Sequence, residues 1–513
     1  MTNSRTPADG EQPPLALPNR ELLERLGAIA HRLGTRSFLV GGPVRDLILG
    51  RTQPREETGT HHKGTKTQSN PESGALVTSC LGGSIPDSVF LSDIDVAVED
   101  SSREFGAAVA KEFGGCFVFH SRFLTGTVSF PEQPAGKLGT VPRSASVGHA
   151  RGIVGTSGAG QSPFSSAPSS PAPRTTSLAH IDITQTRAET YERPAVLPAV
   201  RPASIVGDLG RRDFTVNAMA LEITPASFGT FIDPFDGRAD VTQRRVRVLH
   251  ARSFIDDPTR IFRCIRFATR LGFKIERQTL DLMRSAVEQR LPAFLTPERV
   301  LYELRLICVE PLVLPMVRTL IRERVLEATW RWNSPRGFVD DMAKLTRQAK
   351  SLGTVPGAGA PQSGTVPGFR AADLLFIYWL SVLPVTDRFP VRKEERDAAE
   401  AVAAFDKLKP KLRRRLTPSA VYRILRSVSE PALAILATIE TGTVSTNIRA
   451  FLDDYSKVRI ASTGADLRAA GLKPGPAYRA ILDELLFARL DGRIRTVTEE
   501  HALLQRLAKQ TGG

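Results

Sequence analysis

The stretch S-D-I-D-V-A-V-E-D, residues 92–100, places two carboxylates inside an otherwise apolar run. Side chains alternate between the two faces of a strand, so Asp93 and Asp95 are predicted to share one face while Ile94 occupies the other. Carboxylate oxygens are preferred ligands of Mg²⁺, and the pair therefore indicates either a solvent-exposed strand face or a metal site. Glu99 and Asp100, at the end of the stretch, are predicted to be surface acids outside any site.

A glycine turn precedes this strand. The segment F-L-V-G-G-P-V-R-D, residues 38–46, predicts a strand that ends at Gly41 and Gly42 and leads into a helix with Pro43 in its first turn. Backbone N–H groups at such a turn favour a phosphate, and Arg45 adds positive charge one turn later. A glycine pair alone also serves any tight turn, so this motif is informative only in combination with others.

A further carboxylate, Asp182, lies in H-I-D-I-T-Q-T-R, residues 180–187, which is predicted to be a strand. Beside Asp93 and Asp95 it would complete a metal and general-base site. Without them it would be an ordinary surface residue.

An arginine-rich helix is predicted within D-D-P-T-R-I-F-R-C-I-R-F-A-T-R-L-G-F, residues 256–273. At 100° per residue, its apolar residues face one way and Arg260, Arg263, Arg266 and Arg270 face the other. Between Pro258 and Phe273 the helix contains no acid. These arginines are therefore predicted to be unpaired and to bind an anion or a nucleotide, the alternative being a solvated charged face. Asp257 is predicted either to cap this helix or to accept a hydrogen bond from a base, with Arg260 donating to the same base edge.

The bulk composition supports a phosphate-rich partner. The chain has 513 residues, 41% of them hydrophobic, and a formal net charge of +15, as expected for a globular protein that binds a polyanion. Its four cysteines, Cys80, Cys116, Cys264 and Cys308, form neither a zinc pattern nor a disulfide framework and are interpreted as small apolar residues. Without a signal peptide or a long apolar run, the protein is predicted to be soluble and cytoplasmic.

The chain changes character near residue 250, from α/β to almost wholly helical. Three stretches, 52–89, 131–178 and 350–369, are rich in small and polar residues and are predicted to be disordered inserts. Helices are predicted over residues 102–113, 278–290, 297–308, 313–326, 371–383, 394–407 and 418–427.

Taken in order, these motifs resemble those of the class II tRNA nucleotidyltransferases, a family that includes CCA-adding enzymes and bacterial poly(A) polymerases. The matching set spans roughly residues 36–310 and consists of L-V-G-G-P-V-R-D, D-I-D, R-R-D-F-T-V-N-A-M-A-L, D-P-F-D-G, the arginine-rich helix and T-P-E-R-V-L-Y-E-L-R-L-I. The resemblance implies an α+β fold with a tail and first helix (1–35), a nucleotidyltransferase head (36–250), a helical neck that recognises the base (251–315), and a helical body and tail that bind tRNA (316–513).

The resemblance also implies roles for individual residues. Asp93 and Asp95 match the metal ligands, and Asp182 stands where the family often has a glutamate. Nucleotide contacts are implied for the triphosphate-binding Gly42 and Arg45, for Arg212, Asp213 and Asn217 around the sugar and phosphates, for the base-reading pair Asp257 and Arg260, and for Arg263 and Arg266.

The implied activity is the template-independent addition of CMP and AMP to the tRNA 3′ end from CTP and ATP, with Mg²⁺ as cofactor and pyrophosphate as product. A poly(A) polymerase is disfavoured because C-F-V-F-H-S-R-F-L-T-G, residues 116–126, lacks the basic segment usual in those enzymes. An enzyme that adds only the terminal A remains open, although the length of segment 190–210 disfavours one that adds only CC. A non-catalytic RNA-binding protein would explain the charge but not the three carboxylates.

Overall fold

The computed structural model describes residues 20–50, 94–130, 180–351, 370–384 and 389–511. The predicted inserts 52–89 and 131–178 lie outside these ranges, as do residues 352–369 of the third. Asp93 and Cys80 also lie outside them.

The chain divides into two compact units. The first comprises Met1–Thr190 and Ala199–Gln243, and the second comprises Tyr191–Pro198 and Arg244–Gly513. The short segment Tyr191–Pro198 thus packs with the second unit although both of its flanks belong to the first.

The first unit is α/β. Its strands are β1 Ser37–Val40, β2 Ile94–Val98, β3 Cys116–His120, β4 Thr125–Ser129, β5 His180–Gln185, β6 Arg187–Thr190, β7 Ala199–Pro202, β8 Ala220–Glu222 and β9 Phe231–Ile232. Its α-helices are α1 Arg20–Arg32, α2 Gly42–Ile48, α3 Ser102–Phe113, α4 Ile205–Gly210 and α5 Gly237–Thr242. The strand and helix predicted around the glycine turn, the strand that carries Asp95 and the helix predicted over 102–113 are confirmed. The strand predicted over 180–187 is confirmed as β5, which ends at Gln185.

Among the described residues, seven strands form one mixed sheet in the order β3-β4-β5-β2-β1-β8-β9. Strands β2 and β5 are parallel, and the other neighbours are antiparallel. Strand β1, which lies between β2 and β8, is buried along its whole length. Strands β6 and β7 pair separately as a hairpin.

The second unit is mainly helical, with a short parallel pair of strands, β10 Arg245–Val246 and β11 Lys274–Ile275. Its α-helices are α6 Ser253–Asp256, α7 Thr259–Leu271, α8 Arg277–Glu288, α9 Pro297–Cys308, α10 Val313–Arg322, α11 Val325–Trp330, α12 Phe338–Ser351, α13 Ala371–Val382, α14 Lys393–Ala403, α15 Lys409–Leu412, α16 Pro418–Leu425, α17 Glu430–Ile439, α18 Gly442–Asp453, α19 Gly464–Ala469, α20 Pro476–Leu490 and α21 Val497–Thr511. An α+β fold with a helical second half is therefore confirmed. None of the helices in the described ranges has the length and apolar character needed to cross a membrane.

Two local predictions need correction. The helix predicted over 313–326 is two helices, because Arg324 adopts a left-handed conformation with φ of 55° between α10 and α11. Of the cysteines interpreted as apolar residues, Cys264 and Cys308 are buried, whereas Cys116 on β3 is exposed.

Helix α1 approaches the sheet closely at Gly27. This glycine is buried, and a Cβ atom at its position would lie 1.7 Å from the backbone oxygen of Ile223, just after β8. The absence of a side chain therefore sets the distance between helix and sheet.

Replacing Gly27 with Ala tests this contact. In an ordinary helix the change would be stabilising by roughly 0.5–1 kcal/mol. Here we expect destabilisation, since the methyl group must displace backbone. The measurement is the urea midpoint of unfolding followed by far-UV circular dichroism, with His31→Ala on the exposed side of α1 as control. A Gly27→Ala midpoint equal to or above that of the unsubstituted protein would show that the close packing is wrong.

Candidate active site

Two of the predicted site carboxylates are direct neighbours in the sheet. Asp95 on β2 and Asp182 on β5 are paired in the parallel register, so their side chains project from the same face. The Thr127 hydroxyl on β4 donates a 2.6 Å hydrogen bond to Asp182 Oδ1, and His180 Nε2 lies 3.9 Å from Asp182 Oδ2. Asp95 is half-buried, whereas the side chain of Asp182 is 52% exposed. The sheet therefore presents a carboxylate pair that is accessible from solvent.

These carboxylates suit a hard divalent cation. Both supply only oxygen ligands, and neighbouring strands lie about 4.8 Å apart, which allows two side chains to reach one ion. The described ranges contain no group of three or more His, Cys, Asp or Glu side chains arranged to hold a metal. Asp93, the other predicted ligand, lies outside those ranges, so the described residues supply two of the three expected carboxylates.

The glycine turn lies next to Asp95. Gly41 has φ of 75° and ψ of −127°, a conformation that side chains strongly disfavour. A Cβ atom there would lie 2.8 Å from Arg212 Nη1 and 4.0 Å from Asp95 Oδ2. The glycine therefore keeps open a small space between a guanidinium and a carboxylate.

Arg45, Asp213 and Asn217, predicted to contact the nucleotide, are buried together. Arg45 Nη1 donates to Asn217 Oδ1 at 2.6 Å, and Asn217 Nδ2 donates to Asp213 Oδ1 at 3.1 Å. Asp46 accepts two further hydrogen bonds from Arg45. This series of hydrogen bonds connects α2 to the segment after α4. Gly42 begins α2, and a Cβ there would lie 3.6 Å from Arg45 Nη2.

Asp208, a residue that the motif analysis missed, organises the arginines beside the turn. Its buried carboxylate accepts hydrogen bonds from Arg211 Nη2 at 2.7 Å and from Arg212 Nη2 at 3.0 Å, and the Arg187 N–H donates to it at 3.3 Å. Burial raises the pKa of Asp208, but the charges of Arg212 and Arg211 and their hydrogen bonds outweigh burial, so the net pKa is lowered. Asp208 therefore remains charged and holds Arg212 beside Gly41. The spacing of an acid three and four residues before two arginines could have revealed it.

Glu99 also needs reinterpretation. It was predicted to be a surface acid, but it is half-buried, and its Oε1 accepts a 3.1 Å hydrogen bond from the Ile205 N–H at the start of α4. It thereby connects the end of β2 to the helix that carries Asp208.

In the second unit, Asp257 precedes Pro258, the N-cap residue of α7, and its carboxylate binds the first helical residue, Thr259. Its Oδ1 accepts from the Thr259 N–H at 3.0 Å, from the Thr259 hydroxyl at 2.6 Å and from Arg299 Nη2 at 2.6 Å. Arg260 is buried, and its Nη1 donates to the Ser253 hydroxyl at 2.8 Å.

The prediction that the arginines of α7 are unpaired is wrong. Arg266 is buried, with Nη2 3.5 Å from Glu303 Oε2 and Nη1 3.5 Å from Glu310 Oε1. Arg263 lies 3.9 Å from Glu303, and Arg270 lies 3.8 Å from Glu310. The acids belong to α9 and the residues after it, so spacing within α7 could not reveal them.

Part of this site lies in a segment that is similar to a known protein domain. The model of the Poly A polymerase head domain matches residues 171–247, a range that contains Asp182, Asp208 and Arg212.

The relatives of this chain include two that match nine-tenths or more of it. An A-adding tRNA nucleotidyltransferase of Geobacter sulfurreducens is 28% identical over 96% of this chain and 48% of its own length. This chain thus spans about half of that relative. An A-adding tRNA nucleotidyltransferase of Halalkalibacterium halodurans is 26% identical over 90% of this chain and 86% of its own length.

Solved structures share the fold. The Thermotoga maritima CCA-adding enzyme complexed with tRNA superimposes with a TM-score of 0.61 and 23% identity, covering 96% of this chain and 95% of the other. The head-domain match and the two extended relatives show that this chain is similar to tRNA nucleotidyltransferases, and the solved structure shows that it shares their fold.

Proposed function

We propose that this protein transfers nucleotides from CTP and ATP to the 3′ end of tRNA without a template and releases pyrophosphate. The observation that carries the proposal is the pairing of Asp95 with Asp182 beside the space that Gly41 leaves open next to Arg212. Carboxylates for a cation and a guanidinium for a triphosphate are the groups this reaction needs.

The carboxylates act on the reacting atoms. Asp95 and Asp182, with Asp93, would hold Mg²⁺, which when bound lowers the pKa of the attacking hydroxyl and offsets charge on the leaving pyrophosphate. The tRNA 3′ oxygen forms a bond to the α-phosphorus as the bond to the β-phosphate oxygen breaks. Asp182 accepts the hydroxyl proton, and the Thr127 hydrogen bond fixes its carboxylate in one orientation.

The triphosphate is held by the turn and its surroundings. Gly41 and Gly42 let it approach the backbone, and Arg212 pairs with phosphate oxygens while Asp208 keeps its guanidinium in place. The buried hydrogen bonds among Arg45, Asn217 and Asp213 fix the surface against which the sugar and phosphates bind.

The second unit selects the nucleotide and holds the RNA. In the proposed neck, residues 251–315, Asp257 and Arg260 read the base, and Arg263 and Arg266 contribute further contacts. Residues 316–513 form a body and tail that bind tRNA, in keeping with the net charge of +15 of the chain as a whole.

A second candidate is addition of the terminal A alone. It is favoured by one observation, that the Geobacter sulfurreducens and Halalkalibacterium halodurans relatives, which match 96% and 90% of this chain, are named A-adding tRNA nucleotidyltransferases. In this case CMP would not be incorporated, although the chemistry at Asp95 and Asp182 would be the same.

A single experiment separates these candidates. Transcripts of tRNA lacking CCA, ending in C or ending in CC are supplied with Mg²⁺ and CTP or ATP separately, and products are resolved to one nucleotide. A CCA-adding enzyme extends the first two with CTP and the third with ATP, whereas an A-adding enzyme extends only the third. Runs of A on unrelated RNA would indicate a poly(A) polymerase, and tRNA binding without pyrophosphate release would contradict the proposal.

Neutral replacements test the carboxylates. Asp95→Asn and Asp182→Asn keep the side-chain shape but remove the charge. Metal stabilisation is worth several kcal/mol, so each should slow single-turnover incorporation by at least ~100-fold. Glu104→Gln on the exposed side of α3 is the matched control and should leave the rate unchanged. Incorporation by Asp95→Asn at the control rate would rule out the metal assignment.

Replacing Arg212 with Lys tests the triphosphate cradle. Lysine keeps the charge but cannot bind both Asp208 and a phosphate through a planar fork. We expect the KM for the nucleotide to rise about tenfold or more, as for loss of one charge-assisted hydrogen bond. Arg103→Lys, an exposed change on α3, serves as control. An unchanged KM in the Arg212 variant would show that this side chain does not bind phosphate.

A further inference from the structure

The sheet face that carries the carboxylates extends beyond them toward β3. Strand register aligns four residues of neighbouring strands in one row, namely Val118 on β3, Thr127 on β4, Asp182 on β5 and Asp95 on β2. Residues in register project to the same side of a sheet, so Val118 and Thr127 share the face of the two carboxylates. Val118 lies at the outer end of the row, because β3 is an edge strand of the sheet formed by the described residues.

Alternate residues of β3 and β4 form the outer part of this face, which we call the open face: Cys116, Val118, His120, Thr125, Thr127 and Ser129. The three β3 residues and Ser129 are exposed, and Val118 is 52% exposed although it is apolar. Within the described ranges, no hydrogen bond engages the hydroxyls of Thr125 and Ser129. The open face contains no carboxylate, so it would not repel a polyanion.

The opposite side of the same strands is covered by helix α3. Phe117 and Val128 point to that side, and Val128 has no exposed surface. A Cβ atom at Gly106 of α3 would lie 2.2 Å from Phe117 Cε2, which shows how closely the helix packs. The open face is therefore the accessible side of β3 and β4.

The geometry of nucleotidyl transfer indicates what would approach the open face. In the proposed function the triphosphate lies at Gly41, directly after β1, and β1 and β5 flank β2 on opposite sides. The attacking and leaving oxygens lie roughly in line on opposite sides of the phosphorus. Because pyrophosphate leaves on the β1 side, the attacking hydroxyl arrives from the β5 side, where the open face adjoins Asp182.

We propose that the open face binds the 3′-terminal nucleotide of the RNA, with Val118 against its base and the hydroxyls of Thr125 and Ser129 donating to its phosphate or sugar. This inference rests on the proposed function, since it concerns where the attacking RNA end lies. Val118 lies two strands, about 10 Å, from Asp182, within reach of a base whose ribose hydroxyl is at Asp182. Such contacts suit an RNA end whose base changes with each addition, because apolar packing and hydroxyl donors do not select one base.

Placing a charge at Val118 is the first test. Incorporation of AMP into a tRNA transcript ending in CC is measured with RNA varied at saturating ATP, and with ATP varied at saturating RNA. The carboxylate in Val118→Asp would repel the RNA phosphates, so we expect the KM for RNA to rise about tenfold and the KM for ATP to stay unchanged. Val118→Lys changes the same side chain with the opposite charge and should not raise the KM for RNA.

Leu33→Asp is the matched control. Leu33 is 43% exposed and follows Arg32 of α1, which pairs with Glu112 of α3, so it lies on the covered side of the sheet. This variant should leave both KM values unchanged. An unchanged KM for RNA in Val118→Asp overturns the proposal, and so does an equal rise in Val118→Lys. If Val118→Asp alters only the oligomeric state, β3 pairs with a second copy of the chain instead.

Crosslinking tests the contact directly. Val118→Cys, labelled with an azidophenacyl group in a protein whose Cys80 and Cys116 are replaced with Ser, should crosslink on irradiation to the last nucleotide of the same transcript. Labelled Leu33→Cys should give no such product. Crosslinks from position 118 that reach only the paired stem of the RNA contradict the proposal.

The Asp182→Asn variant separates this inference from the proposed function. If the unsubstituted protein incorporates no nucleotide, the proposed function itself fails. If incorporation is lost in Asp182→Asn while Val118→Asp keeps the original KM for RNA, only the role of the open face is wrong.

Discussion

The parallel pairing of β2 with β5 is the constraint on which the proposed chemistry depends. It sets Asp95 directly opposite Asp182, and a shift of one residue would turn one carboxylate to the other face of the sheet. Strand β1 pairs with β2 on one side and β8 on the other, which brings the turn at Gly41 beside Asp95. Strand register therefore places the carboxylate pair next to the space that Gly41 leaves open.

The buried carboxylate of Asp208 fixes the positions of Arg211 and Arg212 around that space. Asp208 has no exposed surface, yet its pKa is lowered because Arg211 and Arg212 surround it. Removing one member of such a cluster leaves an uncompensated buried charge, so the group acts as a unit. In the second unit the Asp257 carboxylate is likewise held by an arginine, Arg299, through a 2.6 Å hydrogen bond. In both units the predicted functional side chains are held by partners that the motifs alone did not identify.

Structural features that are determined by residues close together in the sequence could be predicted from the sequence. Helix α3 has the predicted bounds because Ser101 caps its start and Gly114, in a left-handed conformation, ends it. Long-range pairings could not be predicted, since the partners of Arg266 lie 37 and 44 residues later, at Glu303 and Glu310. Helices such as α17, which is almost entirely apolar, were missed because an all-round buried helix has no amphipathic period. The residue types of the site could thus be predicted from the sequence. The strand register and the supporting ion pairs could be identified only from the folded structure.

In the proposed mechanism, Asp95 and Asp182 bind one cation beside a triphosphate held at Gly41. The most direct measurement is anomalous scattering from a crystal of the protein grown with Mn²⁺ and a non-hydrolysable ATP or CTP analogue. We expect a manganese peak within coordinating distance of both carboxylates, with the triphosphate between that peak and Arg212. A manganese peak bound by neither carboxylate, or a triphosphate bound away from Gly41, would contradict it.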